Sequence, residues 1–172
     1  CVPSLKRLLP NAQIRGLSKD EPTLSEGGLT VHHLPTRSRM DPIYEAIVLD
    51  DGEHSLWFAP HSMELDANHR AQLEGVSPCT ALISTFRAYQ LPRWLGGTVS
   101  PGLEGLKPLV EAAQPRLVIP THDEPKTGSG LIPLLARITP FDPTTAARLP
   151  WLRDRFLPLD DYAPHDLLDP AR

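Results

Sequence analysis

Two histidines follow short apolar segments that each end in a proline, and they are the residues best placed to do chemistry. Residues 56–61 read Leu-Trp-Phe-Ala-Pro-His, and residues 117–124 read Leu-Val-Ile-Pro-Thr-His-Asp-Glu. Proline has no N–H to donate, so each apolar run is expected to end as a strand at its proline. Sites are usually built on loops that follow strands, which makes His61 and His122 candidate site residues. The alternative for His122 is a hydrogen-bonded loop histidine.

The elements that must position these histidines are predicted from apolar patterns and turn residues. An Asp-Gly pair lies between two strand-like runs, residues 43–50 and 54–59, and predicts a β-hairpin. Buried strands over 80–85 and 116–120 flank a helix over 101–113, and this strand–helix–strand order predicts an α/β fold. The remaining expected elements are a strand over 28–34 and helices over 62–74 and 130–138.

Two details of the helices are also predicted. Met63, Ala67 and Ala71 are spaced four residues apart, so they are expected to pack together in the core. Ser100 and Pro101 are expected to form the cap and the first turn of the helix that follows them.

Composition excludes two classes of partner. The chain has 172 residues, about the size of one domain, and its formal net charge is −4. It therefore lacks a basic surface for nucleic acid. No apolar run approaches the roughly 20 residues that a membrane span needs. The chain begins with Cys1 rather than Met, so it is expected to be a processed product or part of a longer protein.

Cysteine usage indicates a reducing compartment. The chain has 2 cysteines, Cys1 and Cys79, too few for a disulfide framework. Cys79 begins an apolar run and is expected to be a small buried residue, because catalytic cysteines need an electropositive, partly exposed setting. A cytoplasmic location fits this usage best.

The segment after the strand at 80–85 is rich in aromatic residues and arginine and is expected to be a loop. Arg87, Tyr89, Arg93 and Trp94 are candidates to line the mouth of a substrate pocket. Arginine would suit an anionic or ester-bearing small molecule. The alternative is an exposed connector whose Trp94 packs on the core.

Taken together, the order of these motifs resembles the second half of a metallo-β-lactamase-fold protein. The matching segments are the hairpin ending in Pro60-His61, residues 80–85 followed by Leu91-Pro92, a helix start at 97–104, and residues 117–124 with Lys126 and Gly130. The resemblance covers roughly residues 28–135. It is closest to an uncharacterised plant, fungal and bacterial branch of that superfamily.

The resemblance implies a fold, a chemistry and a ligand set. The fold would be the C-terminal half of a four-layer αβ/βα sandwich over residues 1–138, followed by a proline-rich acidic extension over 139–172. The chemistry would be metal-assisted hydrolysis. His122 matches the late histidine ligand, whereas His61 falls where most members have a bridging aspartate. Asp123 and Glu124 would lie behind His122 and orient it. Zinc, iron or manganese would suit such ligands.

The sequence departs from this family at its principal signature, which leaves two hypotheses. The motif His-x-His-x-Asp-His is absent, and two histidines fall short of the three protein ligands of a catalytic zinc site. One hypothesis is a hydrolase of small esters, lactones or amides whose missing ligands come from an N-terminal half. The other is a non-catalytic half-domain. Half of a two-sheet sandwich leaves an apolar sheet face uncovered, which favours a homodimer or a protein partner.

Overall fold

The strands of the described residues form two sheets, one of six strands and one of three. The computed structural model describes residues 7, 11, 17, 22–35, 45–123, 131–146, 148–158 and 166–168. The strands are β1 (Thr23–Glu26), β2 (Leu29–Leu34), β3 (Ala46–Asp50), β4 (Ser55–Ala59), β5 (Cys79–Ser84), β6 (Ala88–Gln90), β7 (Thr98–Pro101), β8 (Leu117–Pro120) and β9 (Arg137–Thr139). The helices are α1 (Ala67–Gln72), α2 (Leu103–Ala113), α3 (Leu131–Leu135) and α4 (Pro143–Ala146), with a 3₁₀ helix at Arg93–Leu95. No helix in these ranges is long and apolar enough to cross a membrane.

The larger sheet is mixed, with the order β1-β2-β3-β4-β5-β8. The pairs β1–β2, β2–β3 and β3–β4 are antiparallel, while the pairs β4–β5 and β5–β8 are parallel. The predicted β3–β4 hairpin is confirmed. Its turn uses Gly52 at φ +91°, and the Asp51 carboxylate accepts hydrogen bonds from the N–H groups of Glu53 and His54 at 2.9 and 2.7 Å. The predicted strand–helix–strand unit is also confirmed, because α2 connects the parallel strands β5 and β8.

The smaller sheet, β7-β6-β9, is antiparallel and corrects the sequence analysis. Residues 86–97 were expected to form a loop, but they contain β6 and the 3₁₀ helix. Pro101 was expected to begin a helix, yet it ends β7 opposite Ala88. Strands of three or four residues are too short to show a two-residue period, so the sequence pattern did not indicate these strands. Residues 138 and 139 both belong to β9, and the expected division of the chain between them stays a prediction.

The main core lies on the helical side of the larger sheet. Leu106, Leu109 and Val110 of α2 share one apolar cluster with Val48 and Trp57 of the sheet. Full burial of such side chains stabilises the fold by about 1.5–3 kcal/mol each. The segment that follows β9 joins the same cluster through its buried or half-buried apolar residues, which are Phe141, Ala146, Leu149, Trp151, Leu152 and Phe156.

Helix α1 differs from the expected helix over 62–74. It begins at Ala67 after the cap residue Asp66, so Met63 lies outside it although it is buried. Ala67 and Ala71 are exposed, and the predicted apolar row is wrong. The buried position is taken by His69, whose Nδ1 accepts from the Asp66 N–H at 3.3 Å. His69 can be buried because its ring is hydrogen-bonded to the cap residue, whereas the spacing pattern had placed alanines on the buried face of the helix.

The opposite face of the larger sheet carries apolar side chains that the helices do not cover. Near β5 and β8 this face contacts Leu157 and Leu167. Towards β2, β3 and β4, Leu29, Ile47 and Phe58 remain 41%, 36% and 37% exposed. One helical layer on one sheet, with the second sheet face partly open, confirms the α/β class. It is also the layer order that half of a four-layer sandwich would have.

Candidate functional site

His61 and His122 meet at the carboxyl edge of the parallel strands. His61 follows β4 and His122 follows β8, with β5 between these two strands. Neighbouring strands lie about 4.8 Å apart, so the two chain segments are separated by roughly 10 Å at the sheet. The ring centroids nevertheless lie 5.4 Å apart, with 37° between the ring planes. The rings therefore lean towards each other across the end of β5.

Backbone turns at this edge hold both histidines in place. His122 has φ +59°, in the left-handed region that few residues other than glycine adopt. Ser62, directly after His61, has φ +56°, and its N–H donates to the carbonyl of Ala59 at 2.9 Å. The N–H of Thr121 donates to the carbonyl of Ser84 at 3.0 Å and ties the end of β8 to β5. Such local strain is common at functional sites, where the surrounding contacts enforce it.

Asp123 fastens the loop that follows β5. Its carboxylate accepts hydrogen bonds from Thr85 Oγ1 at 2.9 Å and from the backbone N–H groups of Phe86 and Arg87 at 3.0 and 2.8 Å. The Arg87 guanidinium donates back to the Asp123 carbonyl. Burial raises the pKa of Asp123, and these hydrogen bonds oppose the rise.

These contacts give Asp123 a defined structural role that differs from the predicted one. The carboxylate fixes the backbone that carries Arg87, whereas its expected action on His122 stays a prediction. Glu124, the other carboxylate expected behind His122, lies outside the described residues.

A cavity of about 300 Å³ lies beside the two histidines. The edge of the larger sheet contributes His61, Thr85, Arg87 and His122 to its lining. The smaller sheet closes the other side with four residues, Tyr89, Val99, Ser100 and Ile138.

Two of the four predicted pocket residues line this cavity, and two do not. Arg87 and Tyr89 are part of its wall. Arg93 and Trp94 lie on the 3₁₀ helix and are not among the described lining residues. Trp94 is 71% exposed, so it does not pack on the core either.

The sequence analysis missed the residues supplied by β7 and β9. Ser100 is buried, and its hydroxyl donates to the carbonyl of Arg87 at 3.0 Å. Val99 and Ile138 add apolar wall. The only sequence signal was the Ser100-Pro101 pair, which is equally typical of a helix start, so the pairing of β6 with β7 and β9 could not be anticipated.

The start of α2 packs closely against the segments that carry Arg87 and follow His61. A Cβ placed on Gly102 would lie 2.7 Å from the backbone nitrogen of Ala88 and 2.9 Å from the carbonyl oxygen of Phe86. A Cβ placed on Gly105 would lie 2.8 Å from Ser62 Oγ. The two glycines therefore allow the helix to support both the loop that carries Arg87 and the turn that follows His61.

The two histidines fit part of a metal site. With Zn–N distances of about 2.0–2.1 Å and tetrahedral angles, two imidazole ligands of one zinc ion place their ring centroids roughly 5 Å apart. The observed 5.4 Å is compatible with this arrangement. Among the residues that the structure describes, no group of three or more His, Cys, Asp or Glu side chains could hold a metal ion. A catalytic zinc normally has three protein ligands, so His61 and His122 would need at least one further ligand.

Comparison with known proteins finds partial structural likenesses alone. No protein-family model and no curated protein matches the sequence. A mutant of the CmlA beta-hydroxylase is similar with a TM-score of 0.49 and 17% identity, over 67% of this chain and 27% of that chain. A proposed Zn-dependent hydrolase of the metallo-beta-lactamase superfamily from Thermotoga maritima is similar with a TM-score of 0.44 and 17% identity, over 66% of this chain and 50% of that chain.

The chain covers only part of either protein. It spans about a quarter of the first protein and half of the second. The second protein belongs by its description to the superfamily that the sequence motifs resemble. With both TM-scores below 0.5, neither likeness assigns this chain a family, an activity or a ligand.

Proposed function

We propose that the cavity beside His61 and His122 is the metal and substrate site of a metallo-β-lactamase-like hydrolase of small esters, lactones or amides. The observation that supports this proposal is the 5.4 Å separation of the two rings at the edge of three parallel strands. In open α/β sheets, ligands bind at the carboxyl ends of the strands. The lining combines polar groups with apolar wall, as small-molecule sites do.

Each side chain has a distinct role in the proposal. His61 and His122 would hold a zinc, iron or manganese ion, and the remaining ligands would come from outside the described residues. A bound ion of this kind lowers the pKa of its water to about 7 and polarises the substrate oxygen. Arg87 and Tyr89 would orient the substrate, while Val99 and Ile138 would exclude bulk water from it.

Metal content of the purified chain tests this proposal, with histidine variants as controls. We expect about one equivalent of zinc, iron or manganese in the unmodified protein, and its loss in His61→Ala and in His122→Ala. His54→Ala is the matched control, because His54 lies at the β3–β4 turn, at the opposite end of β4. Metal-free wild-type protein after growth and purification with these ions, or equal metal content in all variants, would contradict the proposal. A positive result justifies a screen of ester and lactone substrates.

A second candidate function is a non-catalytic module that binds a partner or a second copy of itself. The observation that favours it is the open apolar face formed by Leu29, Ile47 and Phe58, each more than one third exposed. Ile47 and Phe58 are paired across β3 and β4 and therefore form one continuous patch. Contiguous apolar patches on a protein surface commonly mark interaction sites.

The oligomeric state of metal-free protein distinguishes this candidate. We expect a stable dimer in sedimentation velocity that dissociates when Phe58→Glu places a charge in the patch. Leu134→Glu is the matched control, since Leu134 is 82% exposed on α3, outside this face. A wild-type monomer, or a dimer that both variants leave intact, would argue against self-association through this face.

A further inference from the structure

We infer that the cavity selects molecules that carry a carboxylate or phosphate group, and that Arg87 is the residue that recognises this anion. The inference rests on the proposed function, since it names the substrate class of the same site. Arg87 lines the cavity together with His61 and His122.

The charge of the lining favours an anion. Arg87 is a permanent cation, and none of the described lining residues is Asp or Glu. The nearby carboxylate of Asp123 accepts hydrogen bonds from Thr85 and from the backbone N–H groups of Phe86 and Arg87, and it also interacts electrostatically with the Arg87 guanidinium behind the cavity wall. A metal ion held by the two histidines would add further positive charge. Electrostatic attraction is stronger in a partly buried cavity than in water, because the effective dielectric constant is lower there.

The loop that carries Arg87 is fixed before any ligand binds. The Asp123 carboxylate holds its backbone N–H, and the Ser100 hydroxyl holds its carbonyl at 3.0 Å. The guanidinium donates to the Asp123 carbonyl, which limits the directions in which the side chain points. A guanidinium is planar and matches carboxylate and phosphate geometry. Because it is already ordered, less conformational entropy is lost on binding.

The rest of the cavity fits a small apolar body beside the anion. Tyr89, Val99 and Ile138 form this part of the wall. The volume of about 300 Å³ lies at the lower end of small-molecule pockets. Benzoate and phenyl phosphate are therefore suitable anionic probes, and benzamide is the neutral probe of the same shape.

Binding of these three probes to the full chain tests the inference. Calorimetry is carried out with a chelator present, so that a metal ion cannot act as the anion receptor. We expect both anions to bind at least about tenfold more tightly than benzamide, the scale of one charge-assisted hydrogen bond. Arg87→Gln is expected to remove this preference. Arg93→Gln removes the same charge from the neighbouring 3₁₀ helix, outside the cavity lining, and is expected to retain it.

Equal binding of benzoate and benzamide, or an undiminished preference in Arg87→Gln, would overturn the inference. If Arg87→Gln does not fold, NOE contacts in the wild-type protein decide the question, since bound benzoate must contact the methyl groups of Val99 and Ile138. Absence of these contacts would likewise overturn it. Because the chelator removes any metal, this preference can hold while the metal proposal fails, and metal can bind while Arg87 proves irrelevant.

Discussion

Replacement of Gly102 by alanine tests how closely the site loop is packed against the first turn of α2. Gly102 has φ +62° and ψ −140°, a conformation that is strained for any residue with a side chain. The added Cβ would lie 2.7 Å from the nitrogen of Ala88, 2.9 Å from the oxygen of Phe86 and 3.0 Å from the carbonyl carbon of Arg87. All three are backbone atoms, so no side chain can rotate away.

Alanine at position 102 would be destabilised both by backbone strain and by close contacts, and a comparison with Gly75 separates these two effects. Backbone strain costs about 1–3 kcal/mol, and overpacking costs about 1–3 kcal/mol more. Gly75 has φ +81°, but a Cβ placed there meets no atom within 4 Å. Gly75→Ala is therefore expected to show strain alone. We expect Gly102→Ala to reduce the free energy of unfolding by about 1–3 kcal/mol more than Gly75→Ala does.

Urea denaturation followed by tryptophan fluorescence, to which the buried Trp57 contributes, measures this difference. A shift of the midpoint without a change in slope would report stability alone. If Gly102→Ala is no more destabilising than Gly75→Ala, the close contact between α2 and the 86–88 backbone is refuted. The support that this contact gives to Arg87 would then be refuted with it.

Three further outcomes are expected from the structure. The thiol of Cys79 should resist iodoacetamide in the native protein and react in urea, because burial raises its pKa to about 12; mass spectrometry that locates the label on native Cys79 would contradict this. Asp142→Asn should destabilise the protein at about pH 6 and lose this effect as the pH falls. Hydrogen bonds from a neighbouring threonine lower the pKa of Asp142 below its usual 3.8, so the stabilisation exists above that value and disappears below the folded pKa; an equal effect across pH in denaturation curves would refute it. Thr85→Val should lower the free energy of unfolding by about 1.5–3 kcal/mol, because it removes a donor to the Asp123 carboxylate, whereas Thr85→Ser should lower it less. Equal denaturation midpoints of the two variants would contradict the role of this hydrogen bond.

The part of the fold that sequence reasoning predicted is specified by local signals. The Asp-Gly turn fixes the β3–β4 hairpin within a few residues of itself. The segments of β5 and β8 are largely apolar, as buried parallel strands are, and the helix between them shows an apolar face. His61 follows β4 and His122 follows β8, and both of these strands run parallel to β5, so the two histidines reach one sheet edge.

The part that was not predicted depends on contacts between distant segments. Strand β6 pairs with β9, and the pairing of Tyr89 with Ile138 leaves no trace in either segment alone. Val99 and Ser100 line the cavity because they lie on β7 of the same sheet. Arg93 and Trp94 lie on the 3₁₀ helix and do not line it. The sequence showed that this segment is rich in arginine and aromatic residues, but only the strand pairing decides which of its residues line the cavity.

Imidazole NMR during a zinc titration decides whether His61 and His122 bind the same metal ion. We expect the ring nitrogens of His61 and His122 to shift together, with one affinity and one equivalent of zinc, while the ring of His54 is unchanged. His122→Ala should then abolish the shift at His61. Independent titration of the two rings, or a His61 response that persists without His122, would contradict a shared metal site.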